Sequence, residues 1–110
     1  MKPLRLTPQA HKRLSEIAQW TITNFGHKQA AAYERDLINR LNALAKGDLP
    51  KGRPCTALFP ESADITDLNF IREGAHFIIY RDTPTEIQIL DFVHGSRDLE
   101  TILDDLSDDG

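Results

Sequence analysis

From residue 8 to residue 25 the apolar side chains return every three or four positions. Ala10, Leu14, Ile17, Ala18, Thr21 and Phe25 form one stripe, and Ile22 widens it. That spacing is one face of a helix. Thr7 supplies an N-cap and Pro8 a first helical residue whose missing N–H costs nothing. Gly26 is the natural stop. The same period resumes at once. Ala30, Leu37, Ile38, Leu41, Leu44 and Ala45, with Tyr33 or Glu34 in the gap, predict a second helix from about His27 to Lys46, closed by Gly47. Two amphipathic helices of similar length joined by one glycine predict an antiparallel helical hairpin. Trp20 sits off the stripe, about 120° from Leu14 at 100° per residue. The expectation for it is packing against the second helix, with a partner surface as the alternative.

Later in the chain the period drops to two. Segments 67–72, 75–82 and 85–94 are rich in Ile, Phe, Tyr and Val, which favour a pleated, half-buried surface. Glu73-Gly74 and Asp82-Thr83-Pro84-Thr85 separate them, so the three strands predict an antiparallel meander. Lys2 to Leu6 alternates briefly and reads as an edge or near-edge strand. Residues 48–63, with Pro50, Gly52, Pro54 and Pro60, read as a long connection in which Gly52-Arg53-Pro54 offers one arginine as a contact point. Ser96 caps a last short helix from Arg97 to about Leu106, and residues 107–110 read as a frayed acidic end. The expected fold is therefore α+β and a single domain over residues 1–106: strand, helical hairpin, then a small, mostly antiparallel sheet (β-α-α-β-β-β) with a short C-terminal helix.

Strict alternation assigns the strand faces. Phe77, Ile79 and Arg81 share one side, with Ile78 and Tyr80 opposite. Ile87, Ile89, Asp91 and Val93 oppose Gln88, Leu90, Phe92 and His94. Both faces carry large apolar residues. One takes the helices, and the other is too apolar to stand bare on a small monomer, so a partner is expected there.

Charge refines this picture. The net charge is −4, but residues 98–110 hold six acids and no base, which leaves 13 bases and 11 acids in residues 1–97. A mildly basic body with an acidic tail excludes a dedicated nucleic-acid binder, and no direct sequence-specific nucleic-acid binding is expected. Cys55, the single cysteine, excludes an internal disulfide and suits a reducing cytoplasm. The four histidines stand at no metal-ligand spacing and no glycine-rich phosphate loop occurs, so neither metal nor cofactor is expected. No run is long enough to span a bilayer or to act as a signal peptide.

The opening Leu6-Thr7-Pro8-Gln9-Ala10, the stretch Trp20 to Phe25, Gly74, the runs His76-Phe77-Ile78-Ile79-Tyr80-Arg81 and Ile87-Gln88-Ile89-Leu90, and His94-Gly95-Ser96-Arg97-Asp98 occur in an order that resembles the ParE branch of the ParE/RelE toxin superfamily. The resemblance implies a toxin of a type II toxin–antitoxin system. ParE-like members stabilise the cleaved DNA complex of DNA gyrase, and a ParD-like antitoxin wraps an amphipathic helix and an extended arm around the toxin. An apolar helix in an apolar groove is a familiar recognition mode. The antitoxin-groove candidates are Trp20, Phe70, Ile78, Leu90 and Phe92, and the target-contact candidates are Arg72, Tyr80, Arg81, His94 and Arg97.

Two alternatives accompany this reading. RelE-like members cut messenger RNA on the ribosome. Metal-free cleavage needs a base, an acid and cations for the transition state. Arg72 and Arg81 are expected near each other on neighbouring strands, with His94 at the end of the next. Against this, residues 64–97 hold only Arg72, Arg81 and Arg97 against six acids, too little positive charge for ribosomal RNA. A degenerate toxin that serves as corepressor with its antitoxin is the other alternative. On the leading reading the protein has no turnover of its own.

Overall fold

In the computed structural model the described residues are 2–47, 52–55 and 67–95. The elements follow as β1 (Leu4–Leu6), α1 (Pro8–Phe25), α2 (His27–Lys46), β2 (Arg53–Pro54), β3 (Asn69–Glu73), β4 (His76–Asp82) and β5 (Ile87–His94). The expected C-terminal helix, the frayed end and Arg97 lie outside the described residues. No helix among the described residues is long and apolar enough to cross a membrane.

The sheet order is β1-β5-β4-β3-β2. β3, β4 and β5 form the expected antiparallel meander. β1 lies parallel to β5, with Leu4 opposite Ile87 and Leu6 opposite Ile89. One strand was not expected: Arg53 and Pro54 pair with Phe70 and Asn69, and Cys55 N–H donates to the Leu68 carbonyl. Two residues are too short to show a period, and proline is tolerated because the strand is at an edge.

Both helices end as their caps dictate. The Thr7 hydroxyl accepts from Ala10 N–H at 3.1 Å and donates to the Leu90 carbonyl at 3.1 Å, while Thr7 N–H donates to the Ile89 carbonyl. One threonine thus caps α1 and fastens it to β5. Thr7→Ala removes both side-chain bonds, and an equilibrium urea titration is expected to show a loss of about 1–2 kcal/mol. Gly47 closes α2 in the left-handed region, its N–H reaching the Ala43 and Leu44 carbonyls.

Strict alternation fails in β5. Ile79 pairs with Asp91 but Tyr80 pairs with Ile89, so Leu90 is an extra residue, a β-bulge. The bulge shifts the phase. Ile87 and Ile89 before it and Phe92 after it all join the helix-side core of Ala10, Ile17, Leu37, Leu41, Leu44, Ile71, Ile78 and Tyr80. Leu90 and Val93 join the opposite cluster with Cys55, Leu68, Phe70 and Ile79. Val93 therefore does not share a face with Ile87, nor Phe92 with Leu90.

That opposite cluster also corrects the expectation that the second face needs a partner to cover it. Phe70, Ile79, Leu90 and Val93 are buried within the single chain, and Cys55 and Leu68 pack against them without exposure. Burial pushes the Cys55 thiol up to about 12, so it is an inert core group.

Candidate functional site

The expected site residues divide between the two ends of the sheet. At one end lie Arg72, His94 and the β3–β4 turn. At the other lie Tyr80 and Arg81. Arg72 stands opposite Phe77, and Arg81 is four residues further along β4, about 13 Å at roughly 3.3 Å per residue. The expected neighbouring arginines are thus separated by register.

The Tyr80–Arg81 end is already occupied by internal contacts. Tyr80 is buried, and its hydroxyl accepts from Gly52 N–H at 2.9 Å, which pins β2 to the sheet. A Cβ on Gly52 would collide with that hydroxyl. Burial raises the Tyr80 pKa, so the phenol stays protonated. Tyr80 is a fastening residue and not a surface contact. Arg81 Nε lies 2.6 Å from Asp67 Oδ2, an ion pair without hydrogen-bond alignment, and Nη1 reaches Gln88. Asp82 pairs with Lys2 and Asp91 with Arg13, so Arg81 takes neither of these acids. A cleft of about 390 Å³ at this end is lined by Lys2, Gly52, Tyr80 and Asp82. These groups already bond to one another.

The turn end is more open. Arg72 is exposed. Its guanidinium lies 5.4 Å over the Phe77 ring and its Nε donates to the Gly74 carbonyl at 3.0 Å, two contacts that hold the cation in place. His94, also exposed, sets its ring edge-on to His76 at 5.3 Å. Beneath them Tyr33 rises from α2. The Glu73 carbonyl can only accept, so the Tyr33 hydroxyl donates to it at 3.0 Å and accepts from His76 Nδ1–H at 2.6 Å. This network assigns the His76 tautomer. Burial, then His94, then Arg13 push the His76 pKa down to about 4, so the ring is neutral near pH 7. Burial also raises the Tyr33 pKa. Arg40 on α2 adds an ion pair to Glu73 at 3.0 Å.

Sequence reasoning missed the Tyr33–His76 pair. Tyr33 falls in the right helical interval, but the turn it meets is 40 residues away in the chain. Gly74 depends on that meeting. Its φ is +59°, and a Cβ there would sit 2.7 Å from Tyr33 Cε1. Gly74→Ala is expected to cost about 2 kcal/mol in a urea titration, from the left-handed backbone and the crowded ring together.

Of the groove candidates, Ile78 and Phe92 lie in the helix-side core and Phe70 and Leu90 in the opposite cluster, all buried. Only Trp20 is at the surface, 56% exposed, so it does not pack on α2 as expected. Phe25, expected on the buried stripe, is 63% exposed and meets Trp20 edge-on at 5.7 Å. The helix stripe predicts burial only where sheet lies beneath it, and Phe25 is the last residue of α1. Among the described residues no group of three or more His, Cys, Asp or Glu side chains is placed to hold a metal ion.

Comparison with known proteins adds the following. The family described as ParE toxin of type II toxin–antitoxin system, parDE, matches residues 4–99. A solved structure from the chromosomal ParDE toxin–antitoxin system of P. aeruginosa superposes with a TM-score of 0.67 at 20% identity, covering 86% of this chain and 96% of that one. No curated protein matches the sequence.

Proposed function

Because the chain belongs to the ParE toxin family of type II toxin–antitoxin systems, we propose that it poisons DNA gyrase in the cytoplasm by stabilising the cleaved DNA complex, and that a ParD-type antitoxin holds it silent. The observation that carries this reading is the family match over residues 4–99, which includes every described strand and helix. The charge of the central strands supports it. Of the two arginines described there, Arg81 is committed to Asp67 and Arg72 remains exposed. One exposed arginine suits contact with a protein better than capture of ribosomal RNA, which relies on many phosphate contacts. On this reading the protein acts by binding and turns over no substrate.

The ribosome-dependent nuclease remains the second reading, because Arg72 and His94 do share one end of the sheet. Purified protein added to gyrase, plasmid DNA and ATP separates the two. Blocked supercoiling with accumulation of linear DNA is expected. Unaltered supercoiling, together with cut messenger RNA in a translation mixture, would move the assignment to the nuclease. In the gyrase assay Arg72→Ala is expected to raise the inhibitory concentration at least 10-fold with an unchanged circular-dichroism spectrum. Equal potency would remove Arg72 from the contact surface.

A further inference from the structure

Among the described residues three large hydrophobic side chains are exposed: Trp20, Phe25 and Ile38. Two of them touch, at the tip of the helical hairpin. The end of α1 that carries them is ordered by its own side chains. Thr21, Thr23 and Asn24 donate to the carbonyls of Ile17, Gln19 and Trp20. The aromatic pair is thus held on a fixed helical end, so little ordering is needed when a partner buries it.

The side chains next to the pair in sequence carry charge of one sign only. Residues 19–31 contain no acid, while His27 and Lys28 are exposed immediately beyond the turn. α2 starts at Gly26 with no side-chain cap and no acid in its first turn. Its first N–H groups have no side-chain acceptor, and the carbonyl end of α1 at the same turn offsets its dipole, so the net positive charge there is that of Lys28. An apolar pair beside the positive charge of Lys28 complements a segment that carries large apolar side chains and carboxylates together.

We infer that the hairpin tip, Trp20 and Phe25 with Lys28 and the start of α2, is the docking point for an acidic amphipathic segment of the antitoxin. The inference rests on the toxin–antitoxin reading above and places the contact on the hairpin, not on the sheet face, whose apolar residues the chain itself buries. Apolar side chains of the partner cover the two rings. A partner carboxylate supplies the missing cap of α2 and faces Lys28.

The test uses the full chain and the ParD-type antitoxin co-expressed with it, with affinity measured by calorimetry. Trp20→Ala/Phe25→Ala is expected to weaken binding at least 100-fold, and Lys28→Glu about 10-fold, with a shallower salt dependence. Ile38→Ala is the control. It removes the third exposed hydrophobic, about 18 Å along α2 from Gly26 at 1.5 Å per residue, and is expected to leave affinity unchanged. Because these side chains are exposed, the helical circular-dichroism signal serves as the folding check. Trp20 is the only tryptophan of the chain, so its emission is expected to shift to shorter wavelength in the complex. Wild-type affinity in the double variant, or an unshifted Trp20 in a formed complex, overturns the docking assignment and leaves the antitoxin reading intact. A wild-type chain that binds no antitoxin overturns both. Self-association abolished by the double variant, with antitoxin affinity unchanged, assigns the tip to a second copy instead.

Discussion

Arg13→Met is expected to lower the unfolding free energy by about 3 kcal/mol, the size typical of breaking a buried ion pair from one side. Asp91 is 1% exposed, and its Oδ1 lies 3.1 Å from Arg13 Nε on α1. The same oxygen accepts from Phe92 N–H at 2.7 Å. Removing the guanidinium leaves a carboxylate in the core whose remaining donor among the described residues is Phe92 N–H. Removing the charge as well reverses most of the damage. Asp91→Asn keeps a carbonyl oxygen for Phe92 N–H, so Arg13→Met/Asp91→Asn is expected to recover at least half of the loss. In thermal scans the single variant should melt roughly 10 °C lower, with the double variant in between. A double variant no more stable than Arg13→Met would show that the destabilisation comes from lost packing of the arginine stem and not from an unpaired charge.

The second large effect is in the pH dependence of stability. His76 has a folded-state pKa of about 4 against an ordinary 6.5. Above pH 6.5 it is neutral in both states and costs nothing. Between 6.5 and 4 the unfolded chain takes up a proton that the folded chain refuses, so stability falls as pH falls, and the loss is complete below about pH 4. The shift corresponds to about 3 kcal/mol over that window. The groups around the ring explain the refusal. Burial of the ring removes the water that would solvate its cation, His94 from β5 stands edge-on, and Arg13 from α1 adds positive charge, while Tyr33 from α2 accepts from Nδ1–H. Carboxylates titrate in part of the same range, so the measurement is a comparison. His76→Asn keeps a donor towards Tyr33 and is expected to flatten the slope of stability between pH 4 and 6.5. An identical slope in the variant would remove His76 as its source.

Both predictions depend on contacts between segments far apart in the chain, and this marks how far the pattern of residues reaches. The two helices follow from their stripes and from Thr7, Gly26 and Gly47. The meander follows from alternation broken at Gly74 and at Thr83-Pro84. These are local signals, set by backbone sterics and by a period that a few residues display, and the structure has the elements where they place them. The candidate site was less legible. Arg72 and His94 do share an end of the sheet, but Arg81 does not join them, because strand register separates the arginines. Tyr80, a surface candidate from its type, proves to be the anchor of β2.

Local pattern was enough for the class of fold, the order of the described elements other than β2, the caps that bound the helices and the kinship with ParE toxins. Which surfaces stay open is settled by the packing of distant segments. A bulge at Leu90 turns Phe92 inward and Val93 to the far side. No local pattern announces this, because an extra residue in one strand is visible only against its partner. Ile79 and Val93 on the far side of the sheet are buried, while Trp20 and Phe25 remain outside at the hairpin tip. Periodicity says which residues of an element share a face. Whether that face has a neighbour depends on where other elements end, and that is a property of the packed chain.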